Sequence, residues 1–369
     1  MKRTTRLLAL FAVLGLVLAA CGGGDAETTT APTTTSGGTD TTAPATTAAP
    51  TTTEMMAHPI GLVFDIGGRG DQSFNDSAAA GLDKAETDFG IVPSEASANA
   101  DGSDREELLN LLAGDGNELV FGVGFLFADP MLNAATANPD VNFAIVDSVV
   151  DAPNVAGLVF AEEQGSFLVG AAAALKSQTG KIGFIGGVEI DLIKKFEAGF
   201  IAGAKAVNPD IEIESQYVTQ PPDFAGFNDP ASGKVIAQSM FEGGADIVYH
   251  AAGGTGAGLF QAAKEYSEAN DTKVWAIGVD SDQYNTAGAD VQEYILTSML
   301  KRVDVAVYNT IQAHLEGNFK GGANVFDLSV DGVGYSTTGG FVDDIVDQLE
   351  ELKAKIVSGE IVVPTTVEG

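Results

Sequence analysis

Four side chains in one short stretch have the types and spacing to hold a small molecule: Asp65, Asp71, Phe74 and Asn75. They stand in Ile60-Gly-Leu-Val-Phe-Asp65-Ile-Gly67-Gly68-Arg-Gly70-Asp71-Gln-Ser73-Phe74-Asn75-Asp76. An apolar run ending at a carboxylate reads as a buried strand. Three glycines in a turn, then Asp-Gln-Ser before an Ala-rich segment, read as a turn and a capped helix, the first half of a βαβ unit. Side chains at the carboxyl end of such a strand face the crevice where open α/β sheets bind ligands. Phe74, a large aromatic at a helix start beside polar neighbours, is a candidate stacking platform; a core phenylalanine is the plain alternative. Two later strand ends repeat the theme, Gly122-Val-Gly124-Phe125-Leu-Phe127-Ala-Asp129-Pro130 and Gly278-Val-Asp280-Ser-Asp282-Gln283.

Reaction chemistry is harder to find. Cys21 is the single cysteine, so no disulfide forms within the chain. His58, His250 and His314 are widely spaced, which disfavours a structural zinc site. There is no HExxH, GxSxG or GxxxxGK[ST]. Arg69-Gly70-Asp71 spells an adhesion tripeptide but is better explained as a turn. Asp101-Gly-Ser103-Asp104 lacks the EF-hand spacing and reads as a helix cap. Gly254-x-Gly256-x-Gly258 is off by one from a dinucleotide fingerprint, and such a run more often permits close backbone approach. Lys and Arg number 19 against 51 Asp and Glu, a net charge of −32. That argues against nucleic acid and anionic lipid as electrostatic partners.

The first residues carry a different message. Lys2, Arg3 and Arg6 precede an apolar run, Leu7 to Leu18, too short for an ordinary membrane span and formed like a secretory signal. It ends Leu18-Ala19-Ala20-Cys21, which resembles the bacterial lipobox, so residues 1–20 are expected to be a signal peptide and Cys21 the lipidated residue. Residues 22–57, rich in Thr, Ala, Gly and Pro, cannot bury a core. Cys21 and this segment, 21–57, are expected to form the anchor and a disordered tether.

The elements that must position the candidate residues alternate. Strands are expected near 91–98, 118–122, 141–147 and 155–160, with a helix over 78–89. The pattern restarts with a helix over 166–177, a Gly-ended strand over 181–187, helices over 193–207 and 233–243, and strands over 211–218, 246–250, 273–278 and 294–298. Residues 299–317 read as a helix beginning Met299-Leu300-Lys301-Arg302, 325–328 as a short strand and 341–358 as a terminal helix. Alternation of this kind predicts α/β architecture with parallel sheets. Two lobes follow, 58–165 and 166–298. Residues 299–369 pack back on the lobes and partly complete the first, so the chain crosses more than once and frames a hinged cleft.

Several segments in order now carry a resemblance: Asp65-x-Gly67-x-x-x-Asp71-x-Ser73-Phe74-Asn75, Gly122-Val-Gly124-Phe125, Gly165-Ser166-Phe167-Leu168-x-Gly170, Lys181-Ile-Gly-Phe-Ile-Gly-Gly187, Phe196-x-x-Gly199-Phe200-x-x-Gly203, His250-Ala-Ala-Gly253-Gly254-Thr255-Gly256, Gly278-Val-Asp280-Ser-Asp282-Gln283 and Thr297-Ser298-Met-Leu-Lys301-Arg302-Val-Asp304. Together they resemble the basic membrane protein family of bacterial lipoproteins, PnrA-like nucleoside-binding components of ABC importers. The chain departs from the family's name in being acidic. The resemblance implies a type I periplasmic-binding-protein fold, two doubly wound parallel-sheet lobes joined by several crossovers, with a purine nucleoside between them. It implies that Phe74 stacks on the base and Phe227 supplies the opposing face, with Phe224 a rival. It gives Asn75 and Asp129 polar contacts to the base, near which Asp65 lies. Asp280 takes the ribose hydroxyls with help from Lys301, and Gly253 makes a backbone contact.

The expected protein is thus a non-enzymatic, monomeric, lipid-anchored receptor on the extracytoplasmic face, without cofactor or metal, that hands a nucleoside to an ABC permease. The chemistry agrees: aromatic faces suit a base, and one carboxylate suits two adjacent hydroxyls. The alternatives are a signalling receptor, a binder of sugar-like ligands with less use for Phe74 and Phe227, and a nucleoside hydrolase or phosphorylase. The last lacks a nucleophile–histidine pairing or a metal cluster.

Overall fold

The computed structural model describes residues 58–367. The signal-like segment, Cys21 and the tether lie outside the described residues. In chain order the first lobe runs β1 Pro59–Phe64, α1 Phe74–Phe89, β2 Val92–Ser97, α2 Arg105–Gly114, β3 Leu119–Gly122, α3 Ala128–Ala137, β4 Asn142–Val146 and β5 Val155–Phe160. The second runs α4 Glu162–Lys176, β6 Lys181–Val188, α5 Asp191–Val207, β7 Glu212–Thr219, α6 Pro230–Glu242, β8 Ile247–Ala251, α7 Gly256–Asn270, β9 Trp275–Asp280, α8 Gln283–Thr286 and β10 Ile295–Lys301. The chain then adds α9 Val303–Leu315, β11 Gly322–Phe326, β12 Val333–Tyr335 and α10 Val346–Val357.

Two six-stranded sheets result, ordered β11-β5-β4-β3-β1-β2 and β12-β10-β9-β8-β6-β7. All pairings are parallel except β10 with β12. Strands β1 to β5 occupy the same places in the first sheet as β6 to β10 in the second, so the lobes are one motif used twice. Central strands such as β3 and β8 are buried throughout, as helix-covered parallel strands must be. The edge strand β2 is half-exposed and carries Pro93, whose missing N–H is tolerated there.

The chain passes between lobes three times: from β5 to α4, from β10 to α9, and from β11 to β12. Helix α9 packs on α1 and α10 packs on α4. Helices α4 and α5 approach backbone to backbone. A Cβ on Gly203 would lie 1.9 Å from the Phe167 carbonyl oxygen, and one on Gly170 2.1 Å from that of Phe200. The small residues of α4 therefore serve a close helix crossing, not a ligand. No helix among the described residues is long and apolar enough to cross a membrane.

Some expected limits move. Strand β10 continues to Lys301, so the helix expected from residue 299 begins at Val303. Met299, Leu300 and Lys301 extend the sheet by pairing with β12, a long-range partner invisible to local pattern. The terminal helix begins at Val346 rather than 341. The Gly254-x-Gly256-x-Gly258 run opens a whole helix, α7, that the glycines concealed. A Cβ on Gly258 would meet the Pro230 carbonyl oxygen at 1.9 Å, so this run is packing between α6 and α7.

Candidate functional site

A cavity opens between the carboxyl ends of the two sheets. It takes in about 700 Å³ of space between atoms, part of it open to solvent at the mouth. Asp65, Phe74, Asn75, Phe227, Gly253, Asp280 and Lys301 all line it; Asp129 does not. Asp129 is exposed, in the first turn of α3. A carboxylate there complements the helix N-terminus, and its proximity in sequence to Phe125 misleads.

The loop from Asp65 to Phe74 is held by its own carboxylates. Gly67, Gly68 and Gly70 adopt φ of 98°, 62° and 109°, and Gln72 φ of 58°. Asp71 accepts the backbone N–H groups of Ser73, Asn75 and Asp76 at 3.0, 2.8 and 3.1 Å. Asp76 reaches back to those of Gly70 and Gln72 at 2.6 and 2.9 Å. Orphan donors at the start of α1 are thus satisfied, and Phe74 is pinned where its side chain meets the cavity. Asn75 is buried; its Oδ1 accepts from the Asp65 N–H at 3.2 Å, and its Nδ2 donates to Asp71 and the Ile66 carbonyl. Its amide therefore fixes the loop from which it would meet a ligand.

Asp65 is paired with Arg105 of α2, whose Nε and Nη2 both donate to Oδ1, at 3.1 and 2.5 Å. Burial pushes Asp65 above its usual range while Arg105 pulls it back. Arg105, 8% exposed, lies 5.5 Å over the Phe127 ring.

In the second lobe, the glycine-rich end of β6 makes room for an aromatic. A Cβ on Gly187 would come within 2.6 Å of Phe227 Cδ1, and Gly253, at φ 55°, lies under the Phe227 carbonyl. Thr255 Oγ1 fixes this loop, donating to Gly226 O and accepting from the Asp229 N–H, each at 2.7 Å. Phe224, the rival of Phe227, does not line the cavity. It packs edge-on against Phe125 of the first lobe, centroids 5.9 Å apart. Leu192, Ile193 and Phe196 of α5 add an apolar wall.

The deepest part is electrostatic. Lys301, 2% exposed, ends β10 with Nζ 2.7 Å from Asp147 Oδ2, 2.6 Å from Asp147 Oδ1 and 3.4 Å from Glu162 Oε1. Its ammonium lies 5.1 Å from the Phe74 and Phe160 ring centres and 5.6 Å from that of Phe196, a geometry of cation–π attraction. Burial alone would lower Lys301, yet Asp147, Glu162 and Asp280 together hold it above its ordinary 10.5. Burial pushes Asp280 up to about 7, against the pull of Lys301 and the Ser73 hydrogen bond. Burial likewise lifts Asp147 to about 6. One ammonium shared among carboxylates cannot offset the desolvation of each.

Sequence reasoning passed over Asp147, though the signal was present. Strand β4 and Asp147 read Asn-Phe-Ala-Ile-Val-Asp, while β9 reads Trp-Ala-Ile-Gly-Val-Asp. These strands hold equivalent places in the two sheets. Both aspartates adopt positive φ, 67° and 63°, which turns their side chains toward the cleft at a backbone cost typical of functional positions. The internal repeat would have paired them.

The lobes touch around this cavity. Ser73 Oγ donates to Asp280 Oδ2 at 2.5 Å, and Ser281 Oγ donates to Ser73 O at 3.0 Å. Gln283 Nε2 and Thr286 Oγ1 both donate to Gln72 O, at 3.0 and 3.1 Å. An aromatic, carboxylate-rich cavity between two sheets is suited to hold a solute. Fold and site define an ABC-type solute-binding protein. A solved solute-binding protein of an ABC transporter system from Aeropyrum pernix is similar at a TM-score of 0.72 and 31% identity, over 83% of this chain and 93% of that one.

The chain belongs to the family described as ABC transporter substrate-binding protein PnrA-like, whose family model matches residues 59–367. It is 37% identical over 321 residues to the ABC transporter nucleoside-binding protein BmpA of Lactococcus lactis, covering 82% of this chain and 88% of the relative. It is also 35% identical over 307 residues to basic membrane protein A of Borreliella burgdorferi, covering 81% and 85%.

Proposed function

We propose that the protein is a lipid-anchored, extracytoplasmic receptor that captures a purine nucleoside between its lobes and delivers it to an ABC permease. The observation that carries the ligand class is the buried group of Asp280, Lys301 and Asp147 beside Phe74. Two carboxylates and one ammonium at the deep end suit a hydroxyl-rich ribose. The rings of Phe74 and Phe227, which also line the cavity, suit a flat base, each worth about 1–3 kcal/mol in stacking. Four aspartates line the cavity against one lysine, which repels phosphate and favours a nucleoside over a nucleotide. The relative named for nucleoside binding supports this reading. Lipid attachment rests on the Leu-Ala-Ala-Cys21 motif, and such an anchor would hold the folded lobes on the outer side of the membrane. Asp65, with Oδ1 held by Arg105, lines the cavity where it can meet the base.

Titration calorimetry with guanosine, adenosine, 2′-deoxyguanosine, ribose and guanosine 5′-monophosphate tests the proposal. The two ribonucleosides bind; the deoxynucleoside binds more weakly, and ribose and the monophosphate weaker still. Ribose binding as tightly as a nucleoside would overturn the assignment in favour of a sugar receptor.

A further inference from the structure

The loop–helix junction of the first lobe places a hydroxyl on the carboxylate of the second. Ser73 is fully buried, and its Oγ lies 2.5 Å from Asp280 Oδ2 and 3.4 Å from Val279 O. Its neighbour Phe74 lines the cavity. Its own carbonyl accepts from Ser281 Oγ, so the bond is one strand of a cross-lobe contact. Ser73 is held by Asp71, which accepts its N–H, and that hold needs the positive-φ turn through Gln72.

We propose that Ser73 is a positioning residue for the ligand site, orienting and stabilising the ionised Asp280 carboxylate only when the lobes close, and so coupling solute capture to closure. The proposal rests on the nucleoside reading above. Ser73 occupies one oxygen of Asp280 and leaves the other to the solute. In an open form the two residues part with their lobes, and Asp280 loses both its donor and its fixed direction. The charged and titratable groups facing Asp280 are Lys301 from β10, Asp147 from the end of β4, Asp71 from the loop before α1, and Tyr249 from β8. Of these only Lys301 is a cation. The Ser73 hydroxyl is therefore the second group, after Lys301, that favours the charged carboxylate against burial.

The test compares wild type, Ser73→Ala and Ser281→Ala by calorimetry and stopped-flow with guanosine from pH 5 to 9, with thermal unfolding as a check on folding. Ser73→Ala weakens binding by about tenfold, the usual scale for a lost hydrogen bond to a charged group, chiefly through faster release. It also moves the midpoint of the affinity's pH dependence upward, because the carboxylate loses a donor to its ionised form. Ser281→Ala breaks a cross-lobe bond without touching the carboxylate; it speeds release and leaves the midpoint unchanged. A Ser73→Ala midpoint equal to wild type, or affinity lost equally at every pH, would overturn the positioning role while the nucleoside reading stands. Failure of wild type to bind any nucleoside would overturn both.

Discussion

Replacing Asp280 with asparagine should make the empty protein more stable and the binding worse. The side chain is 6% exposed and its pKa is raised from 3.8 to about 7, mainly by burial. A group that binds its proton more tightly folded than unfolded lowers stability as pH rises through that window. The penalty on ionised Asp280 is absent near pH 4, grows toward pH 7 and is complete above it. A displacement of this size corresponds to about 4 kcal/mol at pH 8. Asparagine keeps the shape and can still accept from Ser73, but it carries no charge to desolvate. Asp280→Asn should therefore raise the unfolding free energy at pH 8 by up to about 4 kcal/mol, shrinking toward zero at pH 4. The same change weakens the charge-assisted bonds to two ribose hydroxyls, each worth about 1.5–3 kcal/mol in full. Guanosine affinity should fall roughly 10- to 100-fold. The assays are urea unfolding at pH 4, 6 and 8 without ligand, and calorimetry with guanosine. An Asp280→Asn protein less stable than wild type at pH 8, or one with unchanged affinity, would refute the reasoning.

Phe74→Ala should lower nucleoside affinity by about 1–3 kcal/mol through lost stacking, read by calorimetry; ribose itself should scarcely notice it. Lys301→Met leaves Asp147, Glu162 and Asp280 without their shared ammonium and should cost about 3–5 kcal/mol of stability at pH 8. Denaturant titration should show that loss easing as pH falls and the carboxylates protonate. Gly203→Ala would set a methyl 1.9 Å from the Phe167 carbonyl oxygen, so α4 and α5 must separate; thermal unfolding should report a loss of at least about 2 kcal/mol. Cys21→Ser should release the protein from membranes and abolish labelling with a radioactive fatty acid; unaltered labelling would sink the anchor.

The architecture was legible because its signals are local. Buried parallel strands read as apolar runs, and glycine and aspartate mark where they end, so Asp65, Phe74 and Asn75 could be placed at a cleft from local pattern, while Gly253 and Asp280 came through the family resemblance. What stayed hidden depends on partners far along the chain. Lys301 looked like the start of a helix because β10 gains its last turn of sheet from β12, more than thirty residues later. Arg105 follows the segment read as a helix cap, and nothing nearby reveals that it reaches back to Asp65. The positions of Asp129 and Asp147 relative to the cavity stayed hidden for a related reason. Asp129 sits beside aromatics in sequence but on the outer side of a helix turn. Asp147 ends a strand whose equivalence to β9 shows only when the two sheets are compared.

The central claim is that the cleft holds a purine nucleoside. The most direct measurement is mass spectrometry of the small molecules released when protein purified from its natural host is denatured. Guanosine, adenosine or inosine, in amounts close to one per chain, is the predicted result. A free sugar, a nucleotide or an amino acid in that stoichiometry would contradict it.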